Sequence, residues 1–136
     1  MVSVTIRWMR PDEAEQVREM FAILHPKRPV PNPCIFPALV ADAGDRLVGY
    51  TMFTLAPTEK GYVCYGVDHG VLPKYRRQGI GREMHEERCR LAREAGAIDF
   101  VGTVRKGNKP MIRILESAGH LYRSSGAGVD FYIGRI

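Results

Sequence analysis

The sequence contains few cysteines and no long apolar run. Among its 136 residues are three cysteines, Cys34, Cys64 and Cys89, which lie far apart and match no zinc-binding spacing, so we expect no metal site. An odd set of scattered cysteines is typical of a reducing compartment. No apolar run approaches the ~20 residues of a membrane-spanning helix, and residues 1–10 carry no apolar signal core. We therefore expect a cytoplasmic protein with no membrane partner.

Internal repeats and linker-like segments are also missing from the sequence, and 136 residues is the length of one domain, which predicts a single domain over 1–136. The net charge of +5 suits an anionic ligand, an acidic protein or nucleic acid. The basic residues do not alternate with aromatic residues as they do in proteins that bind single strands. Nucleic acid is therefore a partner that the sequence does not favour.

The hydrophobic pattern predicts an α/β fold. Strand-like and helix-like stretches follow the order β-α-β-β-β-α-β-α-β-β, which implies a mixed central sheet of six to seven strands with three to four helices. The predicted strands cover residues 2–9, 36–42, 47–55, 62–72, 97–104, 120–123 and 129–133, and the predicted helices end at His25, Ala95 and Ala118. Asn108 is placed to cap the last helix.

A proline-rich segment follows the first predicted helix. Residues 26–33 contain four prolines, which indicates a stiff loop without regular structure. Such a loop borders a substrate site in some proteins and is a plain connector in others, and the sequence leaves both readings open.

Residues 76–82 carry the strongest functional signal. This arginine- and glycine-rich segment lies between a predicted strand and a predicted helix. The first backbone N–H groups of a helix lack internal partners and favour negative charge, and guanidinium groups bind phosphate oxygens. Because Gly79 and Gly81 have no side chain, we expect the backbone to approach a ligand closely there. The segment therefore predicts a site for phosphate or pyrophosphate.

The spacing of this segment excludes two common phosphate-binding motifs and resembles a third. It lacks the Gly-Lys-Ser/Thr of a Walker A loop and the three-glycine spacing of a dinucleotide site. The run from Val71 to Gly81 resembles the Q/R-x-x-G-x-G/A signature of the GCN5-related N-acetyltransferases. The resemblance extends from Val4 to the end of the chain, and residues 108–119 are similar to that family's second motif.

The resemblance implies acetyl-coenzyme A as co-substrate and a primary amine as acceptor. In similar proteins the pyrophosphate lies on backbone N–H groups of the loop, and the pantetheine arm pairs with the fourth strand. The cofactor-binding residues that the resemblance implies are Val71, Leu72, Arg76, Arg77, Gln78, Gly79, Ile80, Gly81, Arg82 and Asn108. Many similar proteins are dimers, so a homodimer is a further expectation.

The expected catalytic residues depart from the family pattern. Where many relatives have an acidic base this chain has Tyr65, and where they have a tyrosine acid it has Leu115. Asp68 and His69 lie on the same predicted strand as Tyr65 and are candidates for the base. His69 shares the face of Tyr65 in a regular strand, whereas Asp68 shares it if a bulge intervenes. Tyr122 is the candidate acid.

Two functions therefore stay open at the level of sequence. The first is an N-acetyltransferase that transfers the acetyl group of acetyl-coenzyme A to a primary amine of a small molecule or protein. The second is a non-catalytic acyl-coenzyme-A-binding or interaction domain on the same fold, which the replaced base and acid would favour. A shared fold cannot separate the two.

Overall fold

The structure is a computed structural model that describes residues 2–33, 36–126 and 128–136. Cys34 lies outside these residues, and so does Ala127, which is part of the predicted connection between the strands 120–123 and 129–133. The described elements are β1 (Thr5–Trp8), α1 (Ala14–Leu24), β2 (Ala38–Asp42), β3 (Leu47–Thr58), β4 (Gly61–Val71), α2 (Ile80–Glu94), β5 (Ala97–Arg105), α3 (Lys109–Ser117), β6 (Leu121–Gly126) and β7 (Val129–Arg135). Short 3-10 helices, Pro11–Glu13 and Pro73–Tyr75, precede α1 and α2.

One mixed sheet organises these elements. Its strand order is β1-β2-β3-β4-β5-β7-β6. The pair β4 and β5 is parallel, and the other neighbouring pairs are antiparallel. The predicted α/β class and the predicted order of strands and helices are both confirmed, with seven strands and three α-helices in the described part of the chain.

Successive residues of a strand point to opposite sides of the sheet, so both of its faces carry apolar side chains. The helices cover both faces. On one face, Val17, Met20 and Phe21 of α1 pack with Val40 and other buried residues of the central strands. The opposite face packs against α2 and α3: one cluster joins Ala92 and Leu115 to strand residues, and another contains Met84. The two faces are called here the α1 face and the α2 face.

The second hairpin is longer than the sequence predicted. The predicted strands 47–55 and 62–72 leave residues 56–61 as a turn, but β3 continues through Pro57 to Thr58 and pairs with β4 as far as Gly61. Proline lacks an N–H and is tolerated on a strand edge that has no neighbour. The pairing of β2 with β3 stops at Met52, so among the described strands nothing pairs with this edge of β3 near Pro57.

None of the described helices combines the length and apolarity needed to cross a membrane.

An ion-pair cluster fastens β1 to the start of α1. Arg7 donates to both carboxylate oxygens of Glu13, at 2.9 and 2.7 Å, and its Nη2 also lies 3.1 Å from Asp42 Oδ2. Glu13 is 4% exposed. The hydrogen bond from Arg7 is the main reason that the pKa of Glu13 falls to about 2, and the backbone N–H of Arg10 contributes.

We predict that Glu13→Gln destabilises the fold in a pH-dependent way. A depressed carboxyl pKa stabilises the folded state above the ordinary pKa of about 4.5 and loses this effect as pH falls towards 2. At pH 7 the variant should lose about 2 kcal/mol, the size expected for hydrogen bonds to a charged group. Urea unfolding at several pH values measures both effects.

The matched control is Asp12→Asn, because the Asp12 side chain is 81% exposed and lies 3.8 Å from Arg10. This variant should unfold like the wild type. A stability gap between the wild type and Glu13→Gln that stays constant from pH 6 to pH 2.5 would contradict the assigned role of the ion pair.

Candidate functional site

A cavity opens where β4 and β5 stop pairing. Their parallel ladder ends at Tyr65 and Val101, and the following part of β4 has no strand partner on this side within the described residues. On its other side β4 carries a bulge, since Met52 pairs with Asp68 and Phe53 pairs with Gly66, which leaves Val67 without a partner in β3. The opening is therefore built from an interrupted ladder beside a bulged strand.

The cavity measures about 620 Å³ and reaches residues from both faces of the sheet. From the α1 side it is lined by His25 and Arg28. From the α2 side it is lined by Arg88, Met111 and Leu115. Strands and loops contribute Gly66, Val67, Asp68, His69, Phe100, Gly102, Thr103, Val104, Arg105, Asn108, Gly128 and Val129.

Asp68 lines the cavity on its α1 side. The bulge at Val67 shifts the alternation of β4, so that Asp68 points to the α1 face, as Tyr65 does. The Tyr50 hydroxyl donates to Asp68 Oδ2 at 2.5 Å. His25 Nε2 lies 3.6 Å and Arg28 Nη1 3.8 Å from Asp68 Oδ1. The carboxylate therefore has three polar neighbours at the cavity wall.

Two of these neighbours have shifted pKa values. Burial and the charge of Asp68 raise the pKa of Tyr50, so Tyr50 remains a hydrogen-bond donor at any physiological pH. Burial lowers the pKa of His25, and the charges of Arg28 and Arg105 lower it further against the opposing effect of Asp68. His25 is therefore a neutral imidazole near neutral pH and can accept a proton.

His69 lies on the other face of β4. Its Nδ1 is 2.9 Å from Thr51 Oγ1, and its Nε2 is shielded from solvent and has no hydrogen-bond partner in the described structure. Burial and the positive charge of Arg88 lower the pKa of His69 to about 3. The strand thus carries its two candidate bases on opposite faces.

A buried chain of basic side chains lies behind the α2 side of the cavity. Arg88 is 2% exposed and donates from Nε and Nη2 to His85 Nδ1, at 3.1 and 2.9 Å. His85 Nε2 is 2.9 Å from His120 Nε2. Burial and the charge of Arg88 lower the pKa of both histidines, that of His120 to about 4. Both rings are therefore neutral.

The same region contains three side chains of kinds that can bind metals, and their donor atoms all lie within 4.8 Å of one another: His85, Cys89 and His120. The hydrogen bonds from Arg88 occupy the lone pair of His85 Nδ1, so the proton of the neutral ring is on Nε2. An Nε2 that carries a proton cannot ligate a metal. Burial also raises the pKa of the Cys89 thiol to about 11. This donor set does not favour a cation.

The loop before α2 has the geometry of an anion site. Arg77 has φ 64° and Gly79 has φ 84°, both in the left-handed region. A non-glycine residue there is strained, and such strain clusters at functional sites. The first helix N–H groups, from Ile80 to Arg82, have no intrahelical partner, and no side chain caps this end. The loop therefore presents free N–H groups beside exposed arginines.

The two glycines of the loop have different roles. A Cβ on Gly79 would meet nothing within 4 Å, so glycine serves the positive φ there. A Cβ on Gly81 would lie 3.2 Å from Ile114 Cδ1 and 3.3 Å from His69 Nε2. Gly81 thus lets α2 pack closely against β4 and α3, which is a different reason from the ligand approach that the sequence predicted.

Several predicted cofactor-binding residues have other partners. Leu72 is 6% exposed in the core of the α1 face, its N–H donates to Val48 and its carbonyl accepts from Tyr75, so we remove it from the set. The Gln78 side chain accepts a hydrogen bond from the Val2 N–H at 2.8 Å. Arg76 Nε donates to the Val71 carbonyl at 3.0 Å. Gln78 and Arg76 are therefore engaged within the protein, whereas no side chain caps the first N–H groups of α2.

The structure brings together some predicted residues and separates others. Asp68, His69 and Asn108 line the cavity, and Asn108 Oδ1 also accepts from the Met111 N–H, as predicted for a helix cap. The loop residues of 76–82 do not line it. Tyr122 is on the edge strand β6 and is 55% exposed, and its hydroxyl oxygen lies 2.6 Å from Ser125 Oγ. It does not line the cavity.

Sequence reasoning missed three residues of the site. Tyr50 and Arg88 resembled ordinary strand and helix residues, and nothing in their local sequence marks them. In the sequence His25 marks the end of a helix before Pro26, and its only other signal is that histidine can exchange protons near neutral pH. Arg28 belongs to the proline-rich loop and lines the cavity, which supports the reading of that loop as a border of the site.

Known structures share this architecture. Arabidopsis thaliana Naa50 in complex with the bisubstrate analogue CoA-Ac-MVNAL is 18% identical, with a TM-score of 0.82 and 97% of each chain covered. Arabidopsis thaliana NAA60 in complex with acetyl-CoA is 15% identical, with a TM-score of 0.81 and 98% of each chain covered. The ribosomal-protein-alanine N-acetyltransferase from Brucella melitensis is 18% identical, with a TM-score of 0.79 and 97% of this chain and 99% of that chain covered.

At these identities the similarity shows a common fold. A comparison with curated proteins finds no match. The model of the acetyltransferase (GNAT) family matches residues 4–120. Because this match covers most of the 136 residues, the chain belongs to the acetyltransferase (GNAT) family.

Proposed function

We propose that the protein transfers the acetyl group of acetyl-CoA to a primary amine by direct attack of the amine on the thioester. The observation that carries this proposal is the parting of β4 and β5, which opens a cavity beside the bulge. Beyond Tyr65 this edge of β4 has no strand partner among the described residues. Such an edge offers N–H and C=O groups to an extended ligand, and the cavity offers room for two reactants.

The cofactor end of the site is the loop 76–82. The uncapped N–H groups of α2 and the exposed arginines suit the pyrophosphate. From there the pantetheine arm follows the unpaired edge of β4 towards the cavity, and Asn108 borders its path. His69 connects the two regions, because it lines the cavity and its Nε2 lies next to Gly81.

The acceptor end of the site is the α1 side, where Asp68 and His25 lie. A primary amine is mostly protonated at neutral pH, since a lysine-like amine has a pKa of about 10.4. The carboxylate of Asp68 attracts this cation, and neutral His25 or Asp68 accepts its proton so that the nitrogen lone pair can attack. We assign the base to this pair rather than to His69, because the Nε2 of His69 lies beside Gly81 on the other face of β4. Burial and the charge of Arg88 also lower the pKa of His69 to about 3, which makes it a weak base.

The leaving sulfur has no tyrosine beside it at the usual position. Leu115 is fully buried and lines the cavity there. A thiol has an ordinary pKa near ~8.5, so its thiolate is an adequate leaving group without a protonated side chain. Positioning of the two reactants then supplies most of the rate.

The acceptor class is a primary amine of a small molecule or of a protein. Two of the structural relatives point to peptide amines: one is a ribosomal-protein-alanine N-acetyltransferase, and another binds an analogue that joins CoA to the peptide sequence MVNAL. Peptides with free N-termini are therefore the first acceptors to test, followed by lysine peptides and polyamines.

The testing experiment is a calorimetric titration with acetyl-CoA followed by an assay of free thiol release with these amines. Binding together with amine-dependent release supports the transferase. Binding without release from any amine supports a non-catalytic acyl-CoA-binding domain, which Leu115 and Tyr65 at the usual acid and base positions favour. A failure to bind acetyl-CoA would contradict both functions.

We predict that Gly79→Asp weakens acetyl-CoA binding by about tenfold or more compared with Gly79→Asn. Asparagine and aspartate have the same shape and both tolerate a positive φ, and the space beside Gly79 is open. The pair therefore differs in one negative charge next to the phosphates. Calorimetry on both variants gives the ratio of dissociation constants, and equal constants would show that the pyrophosphate lies elsewhere.

We also predict that Asp68→Asn lowers kcat/KM by about 10²- to 10⁴-fold, the range typical of a lost general base. His25→Gln should remove the acid limb of the pH–rate profile. Burial lowers the pKa of His25, so this limb should lie below the ordinary histidine value of 6.5. Thiol release from pH 5 to pH 9 measures both variants.

Asp45→Asn is the control for this series, because Asp45 lies in the exposed turn between β2 and β3. It should keep the wild-type profile. Wild-type kinetics in both Asp68→Asn and His25→Gln would exclude the pair as the base and return His69 to consideration.

A further inference from the structure

Arg88 is a buried cation whose partners in the described structure are all neutral. Its Nε and Nη2 donate to His85 Nδ1, and its Nη1 donates to the Met52 carbonyl at 3.4 Å. Its guanidinium carbon lies 4.7 Å from the centre of the Phe100 ring. Within the described residues no carboxylate lies within 4 Å of the guanidinium.

The groups nearest to Arg88 cannot supply a negative charge. Burial raises the pKa of the Cys64 thiol to about 12 and that of the Cys89 thiol to about 11, so both stay protonated. His85 is neutral. The charge of Asp68 raises the pKa of Arg88 without a direct contact. The Asp68 carboxylate itself accepts a hydrogen bond from Tyr50 and lies beside His25 and Arg28. Among the described residues Arg88 therefore has no counter-ion, and a buried charge without an opposite partner is unfavourable.

The hydrogen bonds of the described structure leave two N–H groups of the guanidinium without an acceptor. Arginine has five N–H donors. The Nε and Nη2 edge is used by His85, and one N–H of Nη1 is used by Met52. One N–H on each terminal nitrogen remains for an oxygen acceptor, and a carboxylate is the acceptor that suits a guanidinium best.

Arg88 also lies in the part of the cavity where the proposed path of the pantetheine arm ends. It lines the cavity, and its Nη1 is 3.3 Å from the point where a Cβ on Gly66 would lie. Gly66 is the residue after the last β4–β5 pair, Tyr65 and Val101. Arg88 is eight residues into α2 from Ile80, or roughly 12 Å along the helix, so it is too far along to bind the same phosphates as the helix N-terminus.

The face of the sheet decides which reactant brings the counter-ion. The proposed amine acceptor enters beside Asp68 on the α1 side, whereas Arg88 is on the α2 side with Met111 and Leu115. Arg88 therefore lies on the side proposed for the donor, opposite the side proposed for the acceptor. A negative group on the donor at this depth, beyond the thioester, belongs to the acyl chain.

We infer that the site accepts, besides acetyl-CoA, an acyl-CoA whose acyl chain ends in a carboxylate, and that Arg88 binds this carboxylate. The inference rests on the proposed function. In the transfer, the amine nitrogen bonds to the thioester carbon and the carbon–sulfur bond breaks. The sulfur leaves as a thiolate, the proton of the amine passes to the base and then to solvent or sulfur, and the carboxylate stays on the new amide unchanged.

The test compares thioesters of equal chain length by calorimetry on the full chain. Succinyl-CoA carries a carboxylate where butyryl-CoA carries a methyl group, and malonyl-CoA and propionyl-CoA form the shorter matched pair. In the wild type, at least one carboxylate ester should bind about ten- to a hundredfold more tightly than its neutral match, the gain expected for hydrogen bonds between charged groups. In Arg88→Met this preference should disappear.

Arg90→Met is the control variant, because Arg90 is on the same helix but is exposed and pairs with Glu87 and Glu94. It should keep the wild-type preference. Should Arg88→Met fail to fold by circular dichroism, the wild-type comparison decides alone. Neutral esters that bind as tightly as both carboxylate esters would overturn this inference and leave the proposed function standing, whereas no binding of any ester would overturn both.

Discussion

The end of the β4–β5 ladder at Tyr65 and Val101 is the constraint on which the site depends. Strands that part expose backbone N–H and C=O groups, which need other partners when they are buried. Here the parting occurs beside a bulge at Val67, and the cavity occupies the space between the strands. The same few residues therefore provide the open edge for an extended ligand and turn Asp68 towards the α1 face.

The sheet also separates the charges of the site. Asp68 is held on the α1 face by Tyr50, His25 and Arg28, while Arg88 is held on the α2 face by His85 and the ring of Phe100. Opposite charges in a poorly solvated cavity would pair directly if they could meet, because their attraction grows as the dielectric constant falls. Hydrogen bonds hold Asp68 on the α1 face and Arg88 on the α2 face, so the two charges do not pair with each other. Each charge therefore remains available to a different reactant.

Two neutral histidines, His85 and His120, lie beside Arg88 on the α2 face. Burial and the charge of Arg88 hold His85 and His120 in their uncharged forms, so that they accept or pass on hydrogen bonds without adding positive charge. The price of the arrangement is a guanidinium with two unused donors, and such unsatisfied groups in a folded protein call for a functional explanation. A ligand that brings a carboxylate supplies it.

Local patterns determined most of the fold. The order of strands and helices, the Asn108 cap and the strand-loop-helix unit around residues 76–82 follow from hydrophobic periodicity, capping chemistry and glycine placement, which act over a few residues. The predicted turn at 56–61 was wrong in extent, because a proline is excluded from a strand only where the neighbouring edge needs its N–H, and pairing partners are distant in sequence.

Tertiary structure alone decided the chemistry of the cavity. The sequence left open whether Asp68 or His69 shares the face of Tyr65, because one bulge reverses the alternation, and the bulge depends on how β3 and β4 align. His25 and Arg88, 63 positions apart in the sequence, meet the cavity from opposite faces through packing of α1 and α2. Local sequence thus specified the loop of residues 76–82, whose groups are consecutive, whereas long-range contacts specified which side chains line the cavity.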